Sequence, residues 1–335
     1  MGEIQGGKRI FFWSADSSGC AYYRCELPAV ELSRHGHETH VADVMPEDWM
    51  GTADVIVGQR VCNPGPTWRW QQLAREGRIK LAYEVDDDLL DIDPSNGPAW
   101  DFFSRPEIRA NVIRNIEVAD LVTVSTEPLA EVVGRWNRNV AVVPNCVPAS
   151  LLDAPHADGP KGLTLGWSGG MSHKLDLAEA RDPVRQFLRR YPDAGLHIMG
   201  HVDEDFCKAM PRERIRHTKW IESVPGFHNA IDFTISLAPL RPSRFNASKS
   251  DIRLLEAAAL GIPVVASDFG PYSAFVRDGE TGLLASRSHE WGRHLRALAA
   301  DEAMRTEMGA KAQSLAAERT IEHRVHLWEA ALCGL

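Results

Sequence analysis

The strongest constraint on the fold is a run of apolar residues at consecutive positions, bounded by helix punctuation. Pro263-Val264-Val265-Ala266 is such a run. Consecutive rather than alternating apolar residues suit a parallel strand buried on both faces. Before it, Ile252, Leu255 and Ala259 share one helical face. Ser248-x-x-Asp251 resembles a capping box at the start of that helix. Gly261 stands where a left-handed C-terminal cap is wanted, and Pro263 stops any continuation. Asp278-Gly279 and Gly282 supply turn chemistry beyond the strand. A helix feeding a buried parallel strand is half of a crossover unit.

The same layout recurs along the chain. Arg9 to Trp13 reads as a strand, Tyr22 to His35 as a helix and Thr39 to Ala42 as a second strand. Val55-Ile-Val57, Ile79 to Val85, Leu121 to Ser125 and Val140 to Val143 continue the strands, with helices at Pro66 to Glu76, Pro106 to Ala119 and Glu127 to Trp136. Pro144 to Lys161 carries Pro144, Pro148, Pro155, Gly159 and Pro160 with few bulky residues, as a linker does. Strands then resume at Leu163 to Trp167, Gly195 to Met199, Ile215 to Trp220 and Phe233 to Leu237. Ser288 to Leu335 is helical throughout. A chain of 335 residues exceeds what one core usually holds. The reading is therefore α/β with two Rossmann-like domains, 1–150 and 151–319, and a final helix over 320–335.

Charge and composition narrow the classes of function. A net charge of −9 argues against nonspecific nucleic-acid binding, so no nucleic-acid partner is expected. No apolar run approaches the length of a membrane span. MGEIQGGKRIFFW has too short an apolar run for a signal peptide, and Gly6 stands where the myristoylation pattern needs Ser or Thr. Cys20, Cys25, Cys62, Cys146, Cys207 and Cys333 are scattered, without a CxxC pair. They read as free thiols in a reducing, cytoplasmic compartment, and a zinc site is not expected.

Four places carry chemistry. The first is the glycine-containing loop Ser14 to Cys20, which faces a helix N-terminus but lacks GxGxxG. It is either an anion site or a structural crossover. The second is Asp86-Asp87-Asp88 at the end of a strand. Three carboxylates can hold Mg²⁺ or Mn²⁺, or one can orient a ligand or cap the next turn. The third is Ser168-Gly169-Gly170-Met171-Ser172-His173-Lys174, where backbone can approach a phosphate and Lys174 supplies a point charge. The fourth is Lys249, Arg253 and Glu256, spaced i, i+4, i+7 near a helix N-terminus. That face can hold a phosphate and a polyol, or be a solvated face with an Arg–Glu pair. Asp91 to Arg105 reads as a polar loop with Trp100, Phe102 and Phe103, either an acceptor lid or packed on a neighbouring helix. His35, His37 and His40 read as surface residues. Trp68 and Trp70 are sugar platforms or packing residues.

KSD-x-R-x-LE-x-A-A-x-G-x-PVVAS…GPY…DG-x-TGLLA, about forty residues, resembles the donor-binding segment of glycosyltransferases of the GT-B fold, in particular the retaining family GT4. SSGCAYYRCELPAVELSRHGHE and DLVTVSTEPL…VAVVPNCV resemble the N-terminal domain of the same family. The resemblance implies two facing Rossmann-like domains with parallel sheets, an active cleft between them, and a C-terminal helix crossing back to the first domain. It implies sugar transfer from a nucleotide diphosphate sugar, UDP or GDP type, to an unknown acceptor, with configuration retained and no metal or other cofactor required. Lys249, Lys174 and Glu256 are then the catalytic candidates. Gly169, Gly170, His173, Trp220, Ile221, Arg244, Ser248, Arg253 and Leu254 fall on the donor side, with the base near Trp220 and Ile221. Ser18, Gly19, Arg24, Asp87 and Trp100 fall on the acceptor side. Two positions depart from the family pattern. Ser248 stands where the first of two spaced Glu residues is usual, Glu256 being the second. Gly170 stands where an Arg is usual, with Arg241 or Arg244 near enough in sequence to compensate. The acidic triplet invites comparison with the metal motif of the GT-A fold, which the rest of the chain does not resemble. A GT-B sugar-nucleotide epimerase or hydrolase, or a nucleotide-sugar binding module without turnover, fits the same donor segment.

Overall fold

The computed structural model describes residues 6–154 and 162–335. Met1, Gly2 and the linker residues Pro155, Gly159 and Pro160 lie outside the described residues. The chain divides into two compact units. The first takes Met1–Cys146, Ser248–Ser250 and Ile321–Leu335, the second Val147–Ala247 and Asp251–Thr320.

The first unit is built on a parallel sheet of β1 (Arg9–Trp13), β2 (Glu38–Ala42), β3 (Val55–Gln59), β4 (Lys80–Val85), β5 (Leu121–Val124) and β6 (Val140–Val142), in the order β2-β1-β3-β4-β5-β6. Ile10, Phe11, Phe12, Val55, Ile56, Val57, Leu81 and Ala82 are fully buried, so the central strands have both faces covered, as parallel sheets require. The order reverses between β1 and β3, which opens a crevice at their carboxyl ends. Trp70 is buried against Tyr83, with ring centroids 5.8 Å apart, so it packs; Trp68 is exposed. Helix Ile321–Cys333 belongs to this unit and packs on Leu27–Arg34.

The second unit repeats the design with β7 (Thr164–Gly169), β8 (Gly195–Gly200), β9 (Ile215–Thr218), β10 (Ile235–Ala238), β11 (Val264–Ser267) and β12 (Leu283–Ala285), in the order β12-β11-β10-β7-β8-β9. Its switch lies between β7 and β10. Val264 and Ala266 enter one apolar cluster and Val265 the other. Alternate residues of one short run thus fill cores on opposite faces of the sheet.

Several local expectations change. The helix expected from Tyr22 contains a π-helical turn, Tyr22–Glu26, before Leu27–Arg34. The Asp91 to Arg105 segment holds a short helix, Gly97–Phe103. Ser248 does not cap the following helix. That helix is Ile252–Ala259, its N-cap is Asp251, and the Asp251 side chain caps nothing. The carboxylate is held by Arg319 instead, with two bonds of 2.9 and 3.0 Å. Gly261 has φ +66°, the left-handed conformation its position asked for.

Candidate active site

In the second unit the chemistry gathers at the carboxyl ends of the strands. β7 ends in Ser168 and Gly169, and Met171–His173 forms a single 3-10 turn. A Cβ on Gly169 would lie 2.6 Å from the Trp167 ring and 2.9 Å from Arg253 Nη2, so only glycine fits. At Gly170 a Cβ would meet only the Trp220 ring, at 3.7 Å, so a side chain has room there. Trp220 is 40% exposed and stacks on His201 at 5.8 Å. Ile221 is half-buried against the core.

Arg253 leaves its helix to donate to the Ser168 carbonyl and, at 3.4 Å, to the Tyr272 hydroxyl. Its guanidinium lies 5.3 Å from the Trp167 ring. Glu256 is buried and takes a 3.2 Å contact from His228 Nε2. The Arg–Glu pair of a solvated face is therefore not the arrangement: each member has its own partner on another segment. Asp176 is buried and accepts from His173 Nδ1 at 2.7 Å. Leu254 is fully buried in the core. Arg244 is exposed at the start of the short helix Arg244–Ala247. Lys174 is half-buried just past the 3-10 turn.

In the first unit Arg60 follows β3 with φ +51°. Its Nε donates to Asp86 Oδ1 at 2.6 Å, and its Nη2 lies 3.4 Å from Asp87 Oδ2. Burial lowers the proton affinity of the Arg60 guanidinium, but Asp86 and the neighbouring acids more than offset this and hold it well above the ordinary arginine value. Asp16 anchors the Ser14 to Cys20 loop, accepting from the Ser18 amide at 2.8 Å and the Ser18 hydroxyl at 2.7 Å. Burial pushes the Asp16 carboxyl up; those two bonds and the Arg60 charge outweigh it and bring it below the usual range. Ser18 thus shapes its own loop, and Gly19 opens the helical turn Gly19–Ala21.

Lys249 differs from its sequence reading in two ways. It precedes helix Ile252–Ala259 instead of lying inside its first turn. Its side chain is also buried, 5% exposed, with Nζ 3.3 Å from Asp87 Oδ1. Ser248 is buried too, and its carbonyl accepts from the Thr126 hydroxyl at 2.7 Å. These bonds explain why Ser248–Ser250 group with the first unit.

Arg24 is no surface contact. It is wholly buried, with Nε and Nη2 at 2.7 and 2.9 Å from the two Glu84 oxygens and Nη1 at 2.6 Å from the Val143 carbonyl. Burial pushes the Glu84 carboxyl up while Arg24 pulls it back. Trp100 is 37% exposed on its short helix. His37, expected at the surface, is 4% exposed and accepts from the Lys8 amide. Among the described residues, no group of three or more His, Cys, Asp or Glu side chains could hold a metal ion. No described helix is long and apolar enough to cross a membrane.

Sequence reasoning missed Arg60, Asp176 and His228. A signal for Arg60 existed. Gln59 and Glu84 are register partners on adjacent parallel strands, so Arg60 falls beside Val85 and within one residue of Asp86.

Two comparisons define the class. Residues 181–330 match the family model described as glycosyl transferase-like. The fold is that of Anabaena Alr3699/HepE, solved in complex with UDP, with a TM-score of 0.70 at 15% identity over 98% of this chain and 100% of that one. Sucrose-phosphate synthase from Thermosynechococcus elongatus matches with a TM-score of 0.67 at 16% identity, over the same shares. The protein has the GT-B fold and resembles the group 1 glycosyltransferases of family GT4. Among curated relatives, the phosphatidyl-myo-inositol mannosyltransferase of Mycobacterium tuberculosis is 30% identical over 146 residues, 42% of this chain. The chain covers 38% of that relative's length.

Proposed function

We propose that the protein transfers a sugar from a nucleotide diphosphate sugar to an acceptor hydroxyl, with the anomeric configuration retained and without a divalent metal. The observation that carries this reading is the switch-point arrangement of the second unit. A tight Gly169–Gly170 turn is braced by Arg253, and Glu256, on the same helix, is held by His228. The glycine turn admits a diphosphate close to backbone amides. Glu256 accepts from ribose hydroxyls, and His228 fixes its rotamer. Lys174 offsets the charge that grows on the leaving diphosphate as the glycosidic bond breaks, and such contacts tighten in the transition state. The donor's own phosphate oxygen takes the acceptor proton, so no side-chain nucleophile is needed. Lys249 is assigned to catalysis by the resemblance; its ion pair with Asp87 makes its position depend on the first unit.

The test is calorimetric titration with UDP and GDP, with and without EDTA, followed by turnover of the matching nucleotide sugars on a panel of acceptors. Binding that survives chelation and turnover that leaves a retained product are the expected results. Binding lost to EDTA and restored by Mn²⁺ would overturn the metal-free reading and return attention to Asp86–Asp88. A C2 epimer of the donor would identify an epimerase, and binding without turnover a binding module.

A further inference from the structure

Helix Ile252–Ala259, which carries Arg253 and Glu256, is gripped at both ends by helix Glu302–Ala317 and the residues just after it. At the C-terminal end Gln313 Nε2 donates to the Ala259 and Leu152 carbonyls, at 2.9 Å each. A Cβ on Gly309 would collide with the Gly261 carbonyl, so a glycine there lets the two segments approach this closely. At the N-terminal end Arg319 Nη1 and Nη2 lie 2.9 and 3.0 Å from the two Asp251 oxygens, a bidentate pair. Both side chains are mostly buried, 18% and 16% exposed. Asp251 is the N-cap, yet its side chain caps nothing. Its charge is therefore offset by the Arg319 guanidinium and not by first-turn amides.

That charge stands two positions before Arg253, whose guanidinium reaches the Ser168 carbonyl and the Tyr272 hydroxyl. Burial raises the proton affinity of the Tyr272 hydroxyl and Arg253 lowers it, while Asp176 and Asp251 add to the rise. The field of Asp251 thus extends to the place where Arg253 ends. Without Arg319, one carboxylate and one cation would stand at the start of this helix and nearly cancel. With it, two cations face one carboxylate, and the sum is positive.

We propose that Arg319 is a positioning residue of the donor site that acts through Asp251: it holds the start of helix Ile252–Ala259 and cancels the Asp251 charge, so that Arg253 presents an uncompensated cation to the diphosphate of the donor. The inference rests on the function proposed above and extends it to a residue that the glycine turn does not touch.

The experiment compares the wild type with Arg319→Met, Asp251→Asn and the double variant. Affinity is measured by calorimetry for UDP and GDP, at low salt and at about 1 M NaCl, where the Debye length is only about 3 Å. Arg319→Met bares the Asp251 carboxylate and should weaken the nucleotide that the wild type binds by about tenfold at low salt. At high salt its ratio to wild type should approach one. Asp251→Asn is isosteric, loses no cap bond and leaves the Arg319 charge unopposed, so it should tighten binding about twofold to threefold. The double variant should return to within about twofold of wild type, although it lacks both bonds of the pair. Arg319→Met that binds like wild type, a loss that persists at high salt, or a double variant as weak as Arg319→Met would overturn the inference and leave the proposed function standing. A wild type that binds neither nucleotide would overturn both. Should Arg319→Met fail to fold, Asp251→Asn decides alone: tighter binding supports the assignment, and unchanged or weaker binding overturns it.

Discussion

Both units place charged side chains at the carboxyl ends of a parallel sheet, yet they neutralise them differently. In the first, cations meet carboxylates directly: Arg24 with Glu84, Arg60 with Asp86 and Asp87, Lys249 with Asp87. In the second, Arg253 is spent on a backbone carbonyl and an aromatic hydroxyl, while Asp176 and Glu256 face histidines. A carbonyl offsets only part of a cation's charge, so Arg253 still contributes positive potential where a diphosphate would lie. A carboxylate against a cation has lost most of its field. The fully buried Arg24–Glu84 pair is therefore expected to act mainly on stability, and Arg253 mainly on the donor binding proposed above.

The largest expected effect tests the stability side. Arg24→Ala leaves Glu84 buried and unpaired and should destabilise the first unit by about 3–5 kcal/mol, read as a lowered urea midpoint. Arg253→Ala should leave the urea midpoint close to wild type and weaken nucleotide binding instead. If both variants unfold equally early, the contrast between the units fails.

Lys249→Ala should lower kcat roughly a hundredfold, about 3 kcal/mol of transition-state stabilisation, with Asp87→Asn milder. Because Lys249 is buried against Asp87, circular dichroism must first establish that each variant is folded. A near-normal kcat in folded Lys249→Ala beside an inactive Asp87→Asn would move the chemistry to the acidic residues.

A smaller effect is expected from Glu256→Gln. Nucleotide affinity should fall about tenfold, roughly 1.4 kcal/mol, while kcat changes little, since ribose contacts do not alter during reaction. Calorimetry and saturation kinetics separate the two. A fall in kcat without a fall in affinity would place Glu256 at the reacting bond.

The smallest effect is a pH dependence in the second unit. Burial lowers the proton affinity of His197 below the ordinary value of 6.5; the bond to Asp232, at 2.6 Å, opposes this without reversing it. Above that ordinary value neither the folded nor the unfolded state holds the proton, and the stability is complete. As pH falls below it, the unfolded chain takes the proton first, so stability is lost. Tm should therefore drop modestly from about pH 7.5 to about pH 5.5, and His197→Gln should flatten the drop. A steeper drop in the variant would assign the dependence to another group.

How much was legible in the sequence follows from the range of each interaction. Strands such as β1, β3 and β11 announce themselves through short apolar runs, and Gly261 through its place after a helix, because periodicity and turn chemistry are local. The glycine turn at Gly169 was legible for the same reason. The burial of Arg24 was not, since Glu84 lies sixty positions away and no local period links them. Nor was the capping of helix Ile252–Ala259: Asp251 has the right chemistry at the N-cap, but Arg319, distant in sequence, claims its carboxylate. His37 is hidden by Lys8 and by the helix carrying Cys333, again contacts of long sequence separation.

The three-piece composition of the first unit bears on how the chain is made. Trp328 lies edge-on to Phe12 and 5.0 Å from the Arg24 guanidinium, so residues from the opening strand and turn complete their packing only against a helix translated much later. While the ribosome works through residues 147–320, Phe12 and Arg24 lack that cover, and the nascent first unit leaves that surface unpacked. The unit synthesised first is thus the one finished last, after all of the second has been translated.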